Sequence, residues 1–105
     1  MSAALEQLRD ARALITDPAQ WTEHTYARDR YGRAVDPCQP EAVCWCAYGA
    51  LDRQGADECS DAREYLRAAA EVLFDSFPAC VNDDDGHAAV LRMYDRAIEL
   101  AGASA

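Results

Sequence analysis

Pro40-Glu41-Ala42-Val43-Cys44-Trp45-Cys46-Ala47-Tyr48-Gly49-Ala50-Leu51 lies at the middle of the chain and holds two of its five cysteines and one of its two tryptophans. Proline suits the first position of a helix, because its missing N–H would have no intrahelical partner there. Continued to Leu51, a helix would bury Val43, Ala47, Ala50 and Leu51 on one stripe. Gly49 is costly inside a helix, by roughly 1 kcal/mol against alanine, so it is expected to serve a close packing contact. A continuous helix would also splay Cys44 and Cys46 by ~200°, so the two thiols would not share a metal ion.

Working outward, Leu5, Leu8, Ala11, Leu14 and Ile15 with Arg12 give an amphipathic first helix that Asp17-Pro18 ends. Pro18 then opens a short turn carrying Trp21. Over residues 25–36 the turn chemistry is that of a β-hairpin: Asp29-Arg30-Tyr31-Gly32 reads as a type I turn closed by a glycine bulge. Charge selects the register, since the bulged form sets Asp29 opposite Arg33 and Ala27 opposite Val35, whereas the plain form would face Arg28 with Arg33. Downstream, Gln54-Gly55-Ala56 is a helix exit and Ser60 caps a helix from Asp61 to about Phe74, with Leu66, Ala69, Ala70 and Leu73 inward and Tyr65 and Val72 flanking. Phe77-Pro78 breaks it. Asn82-Asp83-Asp84-Asp85-Gly86 reads as a loop. Asp85 is the expected cap of a last helix with Val90, Leu91, Tyr94, Ala97, Ile98 and Ala101 on its stripe. Gly102 is its expected end, and residues 103–105 are expected to fray. The fold class this predicts is α+β, mainly α: about four main helices packed with one hairpin in a single domain covering residues 1–105.

Composition bounds the function. The 105 residues are 50% hydrophobic and 28% charged, an ordinary globular balance with no run of apolar residues long enough for a membrane helix. All ten basic residues are arginine. Residues 1–35 hold five acids and five arginines, net zero; residues 36–105 hold fourteen acids and five arginines, which leaves the whole net charge of −9 there. Such a surface repels nucleic-acid phosphates and anionic membranes, so direct binding to either is not expected. Cys38, Cys44, Cys46, Cys59 and Cys80 are an odd number without an export signal, which reads as reduced thiols in a cytoplasm.

The motifs resemble an uncharacterised family of small bacterial and phage-associated proteins, a domain of unknown function. The resemblance rests on Trp21 ahead of Ala27-Arg28-Asp29 and Gly32, on Cys44-Trp45-Cys46-Ala47 with Gly49-Ala50-Leu51, and on Asn82-Asp83, His87, Val90-Leu91 and Asp95-Arg96-Ala97-Ile98. It covers roughly residues 5–101. The sequence departs from the family pattern at Gln39, where an acidic cap is usual, and in the acidic link Asp84-Asp85-Gly86. The resemblance implies a common fold and supplies no catalytic residue.

Three functions fit. The first is a small cytoplasmic protein that binds an unknown protein or small molecule, with Arg28, Arg30, Tyr26, Trp45 and Tyr48 as candidate ligand contacts: arginines beside aromatic rings hold anions or flat groups. The second is a cysteine-dependent hydrolase or transferase using Cys44 or Cys46 as nucleophile, His87 as base and Asn82 or Asp83 to orient it. The third is an acidic mimic that blocks a nucleic-acid-binding protein. No cofactor is expected. Metal is not expected either, because the Cys-x-Cys spacing has no second pair and the aspartate run lacks the alternating ligands of a calcium loop.

Overall fold

In the computed structural model, which describes residues 3–57 and 59–104, the chain is mainly α with a small β part. Helix α1 (Ala3–Leu14) buries Leu5, Leu8 and Ala11 and is held at its far end by Arg12, whose Nε donates to Asp95 at 2.6 Å. A 3-10 turn at Pro18–Gln20 follows, and the Asp17 carboxylate accepts from the Ala19 N–H as its cap. Helix α3 (Asp61–Phe74) starts at Ser60, whose hydroxyl accepts from Arg63 N–H, as its sequence predicts. It packs along the long last helix, α5 (His87–Ser104), on Leu66, Ala69, Ala70, Val90, Met93, Tyr94 and Ala97, which form one core with α1 and with α2 (Ala47–Arg53).

The middle of the chain corrects the expected helix. Residues 40–51 are not one coil. Gln39–Ala42 is a turn, Cys44–Trp45 is strand β2, and α2 begins only at Ala47. The partner of β2 is strand β1 (Ala27–Arg28), antiparallel, with Ala27 opposite Trp45 and Arg28 opposite Cys44. The reason is backbone satisfaction. Val43 N–H donates to Arg28 O, Cys46 N–H donates to Tyr26 O, and Thr22 N–H donates to Trp45 O. Within β2 Cys44 is half-buried and Trp45 buried, and Val43, just ahead of the strand, is 44% exposed. Val43 therefore leaves the expected core stripe. Valine, cysteine and tryptophan are also poor helix formers that fit a pleated, half-buried strand.

The turn at residues 29–32 forms as its chemistry predicts. Gly32 N–H donates to Asp29 O, Gly32 has φ +81°, and Asp29 N–H donates to Arg33 O. Val35 N–H meets Ala27 O, so the bulged register is the observed one. The arm after the turn pairs with β1 only through an isolated bridge between Arg28 and Ala34, and the regular ladder of β1 is with β2.

Smaller corrections follow from how the helices meet the core. Leu73 is 45% exposed, because the inward row of α3 runs through Leu66 and Ala70 to Phe74, one position later. The acidic stretch is not a loop: a short helix, α4 (Pro78–Cys80), runs into a π-helical turn at Val81–Asp85 that buries Asn82. Gly86, not Asp85, stands at the start of α5, where its carbonyl accepts from Val90 N–H. Gly102 does not end α5, which runs on to Ser104. Ala105, the last of the residues expected to fray, lies outside the described residues. No helix among the described residues is long and apolar enough to cross a membrane.

Candidate functional site

Three separated segments enclose a cleft of about 230 Å³: residues 24–26 ahead of β1, Cys46–Tyr48 at the start of α2, and Ala79 with Asn82 and Asp83 from the turn before α5. Their mutual placement follows from two contacts. Tyr26 O accepts from Cys46 N–H at 3.1 Å, and the same carbonyl lies over Gly49, where an ideal Cβ would come within 1.9 Å of it. The glycine thus serves the close approach expected of it, with backbone as the neighbour. The second contact is Asn82. Its side-chain oxygen accepts from Ala47 N–H at 2.9 Å and from Trp21 Nε1 at 2.7 Å, and its amide nitrogen donates to Thr22 O at 3.1 Å. A buried amide with all its groups occupied is a rigid joint.

Cys46 caps α2. Its sulfur accepts from Gly49 N–H at 3.2 Å, the place a serine or aspartate would normally take. Burial pushes the thiol above its ordinary value of 9.0, more than the N–H groups of Gly49 and Tyr48 lower it, and the charges of Asp83 and Asp52 add to the rise. Asp83 shows the opposite balance. Burial would raise its carboxyl, but the His24 N–H, the Asn82 amide and the His24 ring together hold it below 3.8. Asp83 Oδ1 accepts from His24 N–H at 2.9 Å, and Oδ2 lies 3.6 Å from His24 Nδ1. His24 itself sits at φ +70°, a left-handed conformation uncommon for a residue with a side chain.

Of the residues singled out from sequence, Tyr26, Cys46, Tyr48, Asn82 and Asp83 come together here. The others do not. Cys44 points its sulfur toward Arg28 O, 4.0 Å away. His87 is engaged elsewhere, with Nε2 2.7 Å from Ile15 O and its ring 5.5 Å from that of Trp21, so the histidine beside Asp83 is His24. Trp45 is core, donating from Nε1 to Pro37 O. Arg28 is engaged within the fold: it donates to Thr22 Oγ1, Gly32 O and Glu23 O.

Arg30 stands at the hairpin tip, lining a groove of about 410 Å³ with Tyr31 and Arg33. That groove is larger, but its cations are already placed. Arg30 donates to the Tyr31 hydroxyl, and Arg33 pairs with Asp29 at 3.1 Å. The N–H of Arg33 is the leading reason that the Asp29 carboxyl is held below 3.8.

His24 and Ala79 had no signal in the sequence. His24 is held by a carboxylate 59 positions away, and Ala79 follows a proline that reads only as a helix stop. Among the described residues, no three His, Cys, Asp or Glu side chains converge as a metal site would need.

The family of unknown function DUF6197 matches residues 1–100. The chain belongs to that family. Membership in a family of unknown function, expected above, therefore holds. No curated protein and no solved structure matches this DUF6197 chain.

Proposed function

We propose that this DUF6197 protein is a small ligand-binding protein of the cytoplasm whose site is the cleft between Tyr26, Tyr48 and Asp83. The observation that carries the reading is convergence. Ionised Asp83, His24, Tyr26 and Tyr48 line one concave space built from three distant segments. Apolar walls with a few fixed polar groups are the usual makeup of a small-molecule site. The volume, about 230 Å³, is below the roughly 300–1,000 Å³ of drug-sized sites, and above the roughly 150 Å³ that holds a benzene ring. The ligand is therefore one ring or its equivalent with a polar substituent. Localisation in the cytoplasm, and origin in a phage or mobile element, belong to the same proposal; the five unpaired cysteines favour the first.

The test is a fragment screen by amide chemical shifts on the intact protein. Ligands that move His24, Tyr48 and Asp83 together, and that raise the melting temperature, support the reading. A screen of several hundred fragments in which none moves that set removes it. Thiol chemistry at Cys46 has less support, since burial keeps the sulfur protonated and His87 is occupied by Ile15.

A further inference from the structure

Resting on that reading of the cleft, we infer that its ligand is a small organic cation: an ammonium or amidinium group on a flat apolar body, with the charged group received by Asp83 and the body lying against Tyr48. The polar chemistry of the cleft is lopsided. Asp83 Oδ1 already has two donors, His24 N–H at 2.9 Å and Asn82 Nδ2 at 3.1 Å. Oδ2 has, among the described residues, only His24 Nδ1 at 3.6 Å, longer than a hydrogen bond. The carboxylate keeps acceptor capacity and is one-third exposed, at the edge of the space. No arginine is among the described residues that line the cleft, and the only other group there able to carry positive charge is His24.

Surrounding charge acts the same way. Asp84 and Asp85 follow directly, and the whole net charge of −9 lies in residues 36–105. That balance disfavours an anion at the cleft and favours a cation. The aromatic walls then fix the orientation. The Arg63 guanidinium lies 4.2 Å from the centre of the Tyr48 ring and is paired with Asp52. A cation already covers one face of that ring, so a second one on the other face gains little. An uncharged flat body suits Tyr48, and the charged end goes to Asp83, where a charge-assisted hydrogen bond is available.

Three probes of one shape separate the possibilities: benzylamine, benzyl alcohol and benzoate, titrated into the protein and followed by amide shifts at near-physiological salt. Benzylamine is expected to move His24, Tyr48 and Asp83 with an affinity about tenfold above benzyl alcohol, and benzoate to move none of them. Asp83→Asn is expected to bring benzylamine down to the level of benzyl alcohol, whereas Asp84→Asn, on the exposed side of the turn, leaves it within about twofold. Benzyl alcohol or benzoate binding as tightly as benzylamine overturns the cation while leaving the cleft a binding site. If none of the three moves these amides, the inference fails together with the reading beneath it. Should Asp83→Asn not fold, the ranking of the three probes on the unmodified protein decides alone.

Discussion

Trp21 donates its indole N–H to the side-chain oxygen of Asn82 across 2.7 Å, joining the segment before β1 to the turn before α5, 61 positions later. The same oxygen takes the first N–H of α2, so one amide ties three parts of the chain that share no local pattern.

Asn82→Ala should therefore cost about 2–4 kcal/mol, because it strands the Trp21 and Ala47 N–H groups and the Thr22 carbonyl in the interior. Asn82→Asp keeps an acceptor for both donors but loses the bonds to Thr22 O and Asp83 Oδ1 and sets a carboxylate beside Asp83, so its cost should be smaller only if the oxygen carries the joint. Urea unfolding curves compare the two. Equal losses would mean that the amide nitrogen, not the oxygen, carries the joint.

Gly49→Ala tests the backbone contact with Tyr26. Alanine favours a helix by roughly 1 kcal/mol over glycine. Here its methyl would sit 1.9 Å from a carbonyl oxygen that is itself fixed by Cys46 N–H. The net effect expected is a loss of about 2–4 kcal/mol, read from the denaturation midpoint. A stabilised variant would show that residues 24–26 yield easily.

The thiols should react in a fixed order. Cys38, Cys59 and Cys80 are exposed, Cys44 is half-buried, and Cys46 is both buried and raised above 9.0. Iodoacetamide at pH 8, followed by mass spectrometry, should label Cys46 last, and all five should react at similar rates in urea. Fast labelling of Cys46 in the folded protein would reverse the case against thiol chemistry.

Stability should fall on the alkaline side. Tyr94 is buried and donates to Ala47 O at 2.5 Å, and burial raises it well above 10.0; Cys46 is raised above 9.0. The unfolded chain releases both protons at ordinary values, and the folded chain retains them. Their contribution is complete below pH 9 and is lost as pH climbs through the folded-state values. Tyr94→Phe should cost about 1 kcal/mol at pH 7 and flatten the decline above pH 10. On the acid side Asp83 and Asp29 act in the opposite sense, their contribution being present above 3.8 and lost below it.

How much of this was legible depends on how local each cause is. The stripes of α1, α3 and α5 and the Asp29–Gly32 turn are written in neighbouring residues, and the charge argument chose the hairpin register correctly. Strand β2 was not legible, because its geometry is set by β1 and helical spacing alone favours continuing from Pro40. Nor does sulfur normally mark a helix cap, which hid the true start of α2 at Cys46. Of the cleft's lining, Asn82, Asp83, Cys46, Tyr26 and Tyr48 were singled out from residue type, and His24 was not. His87 is near Asp83 in sequence, but His24 is its neighbour in space.

Tyr26 is tied into the fold by its carbonyl, which accepts from Cys46 N–H at the end of the β1–β2 ladder and rests on Gly49, while the residue as a whole stays half-exposed. On the proposed reading, anchoring and recognition fall to different atoms of one residue. Exchanging the ring for another side chain leaves that backbone joint in place, so under the proposed reading position 26 can alter what the cleft admits without disturbing how its walls are held.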